Sequence, residues 1–228
     1  QPDDVVVEVG PGPGGLTRAL LETGARVVAI EMDSRFLPIL AELTEASDQR
    51  LEVVQGDALK VDAAKAVGGV PAHVVANLPY NVGTQLLINW LTGPFRPLSM
   101  TLMFQKEVAE RIVAKPGGKD FGRLTVMLQW RYQMDLLFIV PPTAFDPPPK
   151  VESAIVRMRP LANPLACEES KLQQVVMKAF SQRRKVLRNC VAGMFTENQL
   201  IDAGVNPQAR PETVPLEQFV ALARRLEG

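Results

Sequence analysis

Histidine and cysteine are almost missing from this chain. Its 228 residues include one histidine, His73, and two cysteines, Cys167 and Cys190. One imidazole and two distant thiols offer no metal-ligand spacing, so no metal site is expected. The cysteines read as two thiols rather than a disulfide framework. No uninterrupted apolar run approaches the roughly 20 residues that a membrane-spanning helix needs. No leader pattern of basic, apolar and small residues opens the chain. A cytoplasmic, monomeric protein without membrane attachment is expected. The chain starts Gln1-Pro2-Asp3-Asp4 and enters an apolar strand at once, so a further N-terminal segment is expected ahead of it.

Net charge is absent too, since 25 Lys+Arg balance 25 Asp+Glu. The balance conceals segregation. Residues 1–60 hold 5 Lys+Arg against 11 Asp+Glu, residues 61–140 hold 8 against 5, and residues 141–228 hold 12 against 9. The later segments either face a polyanion or form an ordinary solvated surface, and charge alone does not choose between them. With 46% hydrophobic residues, the composition suits one substantial core and a small second unit.

Apolar runs at 5–9, 27–30, 51–54, 73–76 and 100–104 alternate with helical patterns near 15–23, 34–45, 83–92 and 106–114. That alternation predicts an α/β fold, a mostly parallel, doubly wound Rossmann-like sheet. Residues 122–133 read as a helix. Residues 136–140 and 152–158 read as two late strands that can pair antiparallel at the sheet edge. Helical patterns at 169–182, 184–194, 197–203 and 215–226 follow. The expected division is a domain over 1–160 and a small all-α domain over 161–228.

Gly10-Pro11-Gly12-Pro13-Gly14-Gly15 follows the first strand directly. Glycines there permit a tight turn and close backbone approach to a ligand at a helix start. Glu31 stands after the second strand, where an acid can accept both ribose hydroxyls of an adenosine. Asp57, in Gly56-Asp57-Ala58 after the third strand, is placed to take the adenine amine. Gly10, Gly12 and Gly15 also fit the dinucleotide pattern G-x-G-x-x-G, so nicotinamide and S-adenosylmethionine both remain open on this motif. Asp57 favours the methyl donor.

Asn77-Leu78-Pro79-Tyr80 follows the fourth strand. The exocyclic amine of adenine is a poor nucleophile because its lone pair is delocalised into the ring. An Asn77 oxygen and the Leu78 carbonyl can each accept one N6–H, which frees that lone pair for in-line attack on a sulfonium methyl. Pro79 offers no competing N–H, and Tyr80 can stack on the extruded base. A nicotinamide enzyme has no use for this arrangement.

Taken together, the motifs resemble the KsgA-type small-subunit rRNA adenine dimethyltransferases over essentially the whole chain. The matching segments are Glu8–Thr17, Glu31-Met32-Asp33, Gly56-Asp57-Ala58, Asn77–Gly83, Gln105-Lys106-Glu107-Val108, Gly122-Arg123-Leu124, Phe145–Ser153 and Phe180–Asn189. The resemblance implies dimethylation of the N6 amines of two adjacent adenosines in a hairpin loop near the 3′ end of small-subunit rRNA. It implies four S-adenosylmethionines per rRNA and a part in small-subunit biogenesis, with an immature ribosomal subunit as partner. The implied donor contacts are Gly10, Gly12, Gly14, Glu31, Met32, Asp57, Ala58 and Asn77. Phe145 is implied as a second aromatic on the target base, its alternative being a core anchor for a proline loop. Lys106, Arg111, Lys150, Arg183, Arg184, Lys185 and Arg188 are the implied RNA contacts, the last four on a basic helix. Lys115, Lys119 and Arg123 can extend that surface. The family's Gly-Gln-x-Phe-Leu segment before the glycine loop is not among these residues. A non-catalytic assembly or transcription factor on this fold and an erythromycin-resistance type large-subunit methyltransferase are the competing readings.

Overall fold

A computed structural model describes residues 3–79, 82–182 and 184–226. The chain divides into two compact units. The first comprises residues 1–109 and 135–160, the second 110–134 and 161–228.

The first unit is built on strands β1 (Val5–Val9), β2 (Arg26–Glu31), β3 (Leu51–Gln55), β4 (His73–Asn77), β5 (Met100–Gln105), β6 (Tyr132–Val140) and β7 (Ser153–Pro160). Helices α1 (Gly15–Glu22), α2 (Leu37–Ala46), α3 (Ala63–Ala66) and α4 (Gly83–Thr92) connect the first five, and α5 (Lys106–Ile112) leaves β5. The sheet runs β3-β2-β1-β4-β5-β7-β6. Neighbours from β3 to β5 are parallel, and β7 is antiparallel to β5. A strand covered on both faces must be apolar throughout. Val6, Val7 and Val9 of β1, Val27 to Ile30 of β2 and Val74 and Ala76 of β4 are accordingly buried. The winding reverses between β1 and β4, and in open sheets of this kind the carboxyl edge at that reversal forms a binding crevice.

The expected late strands both exist and lie together at one edge of the sheet. β7 lies inside the sheet against β5, and β6 alone forms the edge. Every buried position of β7, among them Ala154, Val156 and Met158, is fully covered, whereas Leu137, Phe138 and Ile139 of β6 are exposed.

The second unit holds α6 (Arg123–Arg131), α7 (Glu169–Ala179), α8 (Leu187–Cys190), α9 (Glu197–Asp202) and α10 (Leu216–Arg224). The first unit ends at residue 160. Residues 110–134, expected with the sheet, instead belong to the helical unit. The cause is the apolar surface of α6, whose Val126, Met127, Leu128 and Trp130 are buried as it packs on α7 and α10. Phe121, Phe180 and Phe219 form an aromatic chain with centroids 6.4 and 5.7 Å apart. Trp130 Nε1 donates to Leu165 O at 2.7 Å, and Arg131 pairs with Glu169 at 2.6 Å. Sequence distance hides these partners.

Candidate active site

The glycine loop begins as an extension of the sheet, with Gly10 N–H donating to Ile30 O at 2.9 Å. Gly10, Gly12 and Gly14 all have positive φ, at 67°, 53° and 84°, where a side chain is strained. Gly14 caps α1 and turns on its own N–H, which donates to Pro11 O at 2.9 Å. It is buried against Leu43 and Leu40 of α2, where it shapes the turn. Gly12 faces open space.

Glu31 ends β2 and is 6% exposed. Its Oε2 accepts the Gly12 N–H at 3.0 Å and its Oε1 accepts the Asp33 N–H at 2.7 Å. The carboxylate is therefore a strut between the glycine loop and the β2 exit as well as a candidate ribose acceptor. A carboxylate offers about four lone-pair sites, so two stay open for hydroxyls. Met32, beside it, is 70% exposed, unusual for so apolar a side chain and suited to covering a flat heterocycle. Asp57 Oδ1 accepts the Leu59 N–H at 2.9 Å, which fixes the carboxylate at the end of β3, and Ala58 is half-buried beside it. Gly56 N–H donates to Glu31 O at 2.9 Å and ties the two acidic positions together. Strung along the ends of β1, β2 and β3, these groups fit an adenosyl donor. The glycine-rich loop leaves Gly12 facing open space, and the Glu31 and Asp57 carboxylates and the exposed Met32 lie along the same strand ends.

One carboxyl was not singled out from sequence. Glu8 lies within β1 and is fully buried. Burial pushes its carboxyl up to about 7, with the Thr17 hydroxyl pulling back and the Glu31 carboxylate pushing further up. Glu8 Oε2 and Thr17 Oγ1 make no well-formed hydrogen bond among the described residues. Its signal was legible, since Glu8 is the lone charge in a strand covered on both faces.

Asn77 closes β4 in register with Met103 of β5 and is exposed at the carboxyl edge. Leu78 is buried, so its side chain points into the core. Pro79 O accepts the N–H groups of Val82 and Gly83 at 3.1 and 3.0 Å, which starts α4 immediately. Gly83 permits that sharp entry. A Cβ there would sit 3.3 Å from both Leu78 Cβ and Phe104 Cε1. Tyr80 lies outside the described residues. Phe145 is half-buried in extended backbone. It lines a recess of about 310 Å³ together with Asn77, Leu78, Pro79, Pro147 and Pro149. Of its two readings, core anchor or base platform, this position on an open recess favours the second. Pro147 and Pro149 were not picked out as wall residues from sequence. Gly10 adjoins the same place, its Cβ direction 3.9 Å from the Pro79 ring. The donor loop and the recess therefore share one edge of the sheet.

The basic residues divide. Lys150, Arg184, Lys185 and Arg188 are exposed, and Arg111 is half-buried. Arg188 pairs with Glu197 at 3.3 Å. Lys106 is half-buried and pairs with Glu152 at 2.7 Å, a partner that sequence did not reveal. Arg183 lies outside the described residues. The helical pattern over 184–194, which carries part of the basic run expected as a helix at 180–189, is reduced to α8. Residues 184–186 are non-helical, because Leu187 and Arg188 donate their N–H groups to Ala209 O and Pro207 O, at 2.7 and 3.1 Å, instead of to a preceding turn. Burying Leu187 requires that departure.

Comparison with known proteins places these features in one family. The profile of the family described as Ribosomal RNA adenine dimethylase matches residues 1–227. The Ribosomal RNA small subunit methyltransferase A of Caulobacter vibrioides is 62% identical over 226 residues, covering 99% of this chain and 87% of that protein. Its namesake in Janthinobacterium is 53% identical over 229 residues, covering 99% and 89%. The crystal structure of a dimethyladenosine transferase from Plasmodium falciparum has the same fold, with a TM-score of 0.82 at 24% identity over 100% of this chain and 91% of that one. The crystal structure of the 23S rRNA methyltransferase ErmE superposes with a TM-score of 0.77 at 30% identity, covering 100% and 93%. With its profile matched nearly end to end, and its glycine loop and the recess at Asn77 and Phe145 on one sheet edge, this chain belongs to the ribosomal RNA adenine dimethylase family, whose methyl donor is S-adenosylmethionine.

Proposed function

We propose that this chain dimethylates the N6 amines of two adjacent adenosines in the 3′-terminal hairpin loop of small-subunit rRNA. It does so as a cytoplasmic monomer acting on an immature subunit, so that modification accompanies small-subunit biogenesis. The observation that carries the reading is the recess formed by Asn77, Leu78, Pro79 and Phe145 beside the glycine loop.

When bound, S-adenosylmethionine supplies an electrophilic sulfonium methyl. The residues of this chain do the rest by position. Glu31 and Asp57 hold the adenosyl end through ribose hydroxyls and the adenine amine, and Met32 and Ala58 flank the ring. Phe145 and Tyr80 receive the flipped target base. In the first transfer the Asn77 side-chain oxygen and the Leu78 carbonyl each accept one N6–H, which turns the nitrogen lone pair out of conjugation and toward the methyl; in the second, the one remaining N6–H is held by one of the two acceptors. No strong base is needed, because the proton is acidic only after transfer and leaves to water. The exposed cations Lys150, Arg184, Lys185 and Arg188, with Arg111 and Arg183, contact phosphates and set the RNA's position without reading its sequence.

A large-subunit target is the second reading, supported by the likeness to the 23S rRNA methyltransferase ErmE. The higher identity of relatives named for the small subunit favours the first. Incubating the protein with unmodified small and large subunits and labelled donor separates them. Label in the small subunit is expected, and label confined to the large subunit would overturn the assignment.

A further inference from the structure

Beyond Gln105, which pairs with Ser153 across β5 and β7, the ladder continues by one residue. Lys106 N–H donates to Glu152 O at 2.9 Å, and Lys106 Nζ meets Glu152 Oε2 at 2.7 Å. Backbone and side chain therefore join the same two residues, at the point where the proline-rich segment 141–152 returns to the sheet. That segment carries Phe145, Pro147 and Pro149, three of the recess walls. The fourth strand supplies the opposite wall. Asn77 is in register with Met103, three residues before Lys106, or roughly 10 Å along β5.

We propose that Lys106 and Glu152 form a positioning latch that sets the Phe145 segment against the Asn77–Pro79 wall. Lys106 thus serves turnover through this segment rather than as a phosphate ligand. The inference rests on the reading of the recess as the target-base site. The pair is partly exposed, with side-chain exposures of 36% and 46%, so it contributes little to global stability. Its effect falls on the geometry of the loop it closes. Within the segment, the Ala144 and Phe145 N–H groups donate locally to Pro141 O and Pro142 O. A loop free to move the base by about 1 Å loses rate steeply, whereas RNA affinity, spread over many phosphates, is little changed.

The test is a charge exchange in the full chain. Lys106→Glu and Glu152→Lys singly should each lower kcat about tenfold with KM for the subunit within twofold. Lys106→Glu/Glu152→Lys together should recover most of kcat, and Lys106→Arg should retain it. The salt slope of RNA binding should stay that of the wild type in every variant. Hydrogen exchange of the 141–152 segment should rise in the singles and fall back in the double. If the double is no better than Lys106→Glu, and the salt slope drops by about 1 wherever Lys106 is replaced, Lys106 is a phosphate ligand and the latch is wrong. Phe145→Ala separates the underlying reading. If it turns over normally, the target-base site has been misplaced, while the exchange data still decide whether the latch holds the segment.

Discussion

Glu31→Gln isolates the double duty assigned to one carboxylate. In the native chain each oxygen accepts a backbone N–H, from Gly12 at 3.0 Å and from Asp33 at 2.7 Å. Glutamine keeps one acceptor and turns an amide N–H₂ toward the other donor. One charge-assisted hydrogen bond is lost and a buried N–H is left facing a donor, at about 1.5–3 kcal/mol. For a chain of this size that corresponds to a melting point lower by roughly 3–12 °C without any donor present. A smaller effect opposes it, because removing the Glu31 charge relieves the Glu8 carboxyl. Donor binding loses more, since a ribose hydroxyl also loses its acceptor and the glycine loop its anchor. The dissociation constant for S-adenosylmethionine should rise about 10- to 100-fold. Differential scanning fluorimetry of the free protein and calorimetric titration with donor measure the two effects. An unchanged melting point with weakened donor binding would refute the strut. Donor affinity within twofold of the wild type would refute the ribose contact.

Other outcomes follow from the same geometry. The Glu8 carboxyl, ordinarily at 4.5, is raised to about 7 when folded. Below 4.5 both states are protonated and no proton-linked penalty exists. Between 4.5 and 7 the folded state binds more protons, so stability falls as pH rises, and above 7 the penalty is on the order of 3 kcal/mol. Glu8→Gln should therefore gain stability over the wild type at pH 8 relative to pH 4, and a pH-independent difference between the two melting points would contradict this. Gly83→Ala should press on Leu78 and Phe104 and shift the Leu78 carbonyl, lowering kcat about tenfold with donor affinity unchanged, and normal turnover would show that the tight entry to α4 is idle. Arg183, Arg184 and Lys185 changed together to Ala should weaken RNA binding and flatten its salt dependence, whereas an unchanged slope in filter binding would return the segment to ordinary solvated surface.

The parallel half of the fold was legible because β1, β2 and β4 each carry a short run of apolar residues that is buried, bounded by polar residues or glycine. The turn of the glycine loop was legible too, since positive φ at Gly10 and Gly12 and an acid at a strand end are local features. The place of 110–134 was not, because α6 is defined by its burial against α7 and α10, about fifty and ninety residues further on. The basic run suggested a helix by composition, yet Leu187 and Arg188 spend their N–H groups on Ala209 and Pro207, a tertiary choice that no local pattern records. Lys106 was an implied RNA contact, and its ion pair with Glu152, 46 positions away, is a tertiary partner that no local pattern records.

The central claim is that Asn77 and the Leu78 carbonyl activate an adenine amine of small-subunit rRNA. Its most direct test is mass spectrometry of rRNA from unmodified small subunits, after incubation with donor and either wild-type protein or Asn77→Ala. The wild type should yield N6,N6-dimethyladenosine at two adjacent positions near the 3′ end, and Asn77→Ala should yield none while still binding the subunit. Dimethylation by Asn77→Ala at a comparable rate would contradict the account.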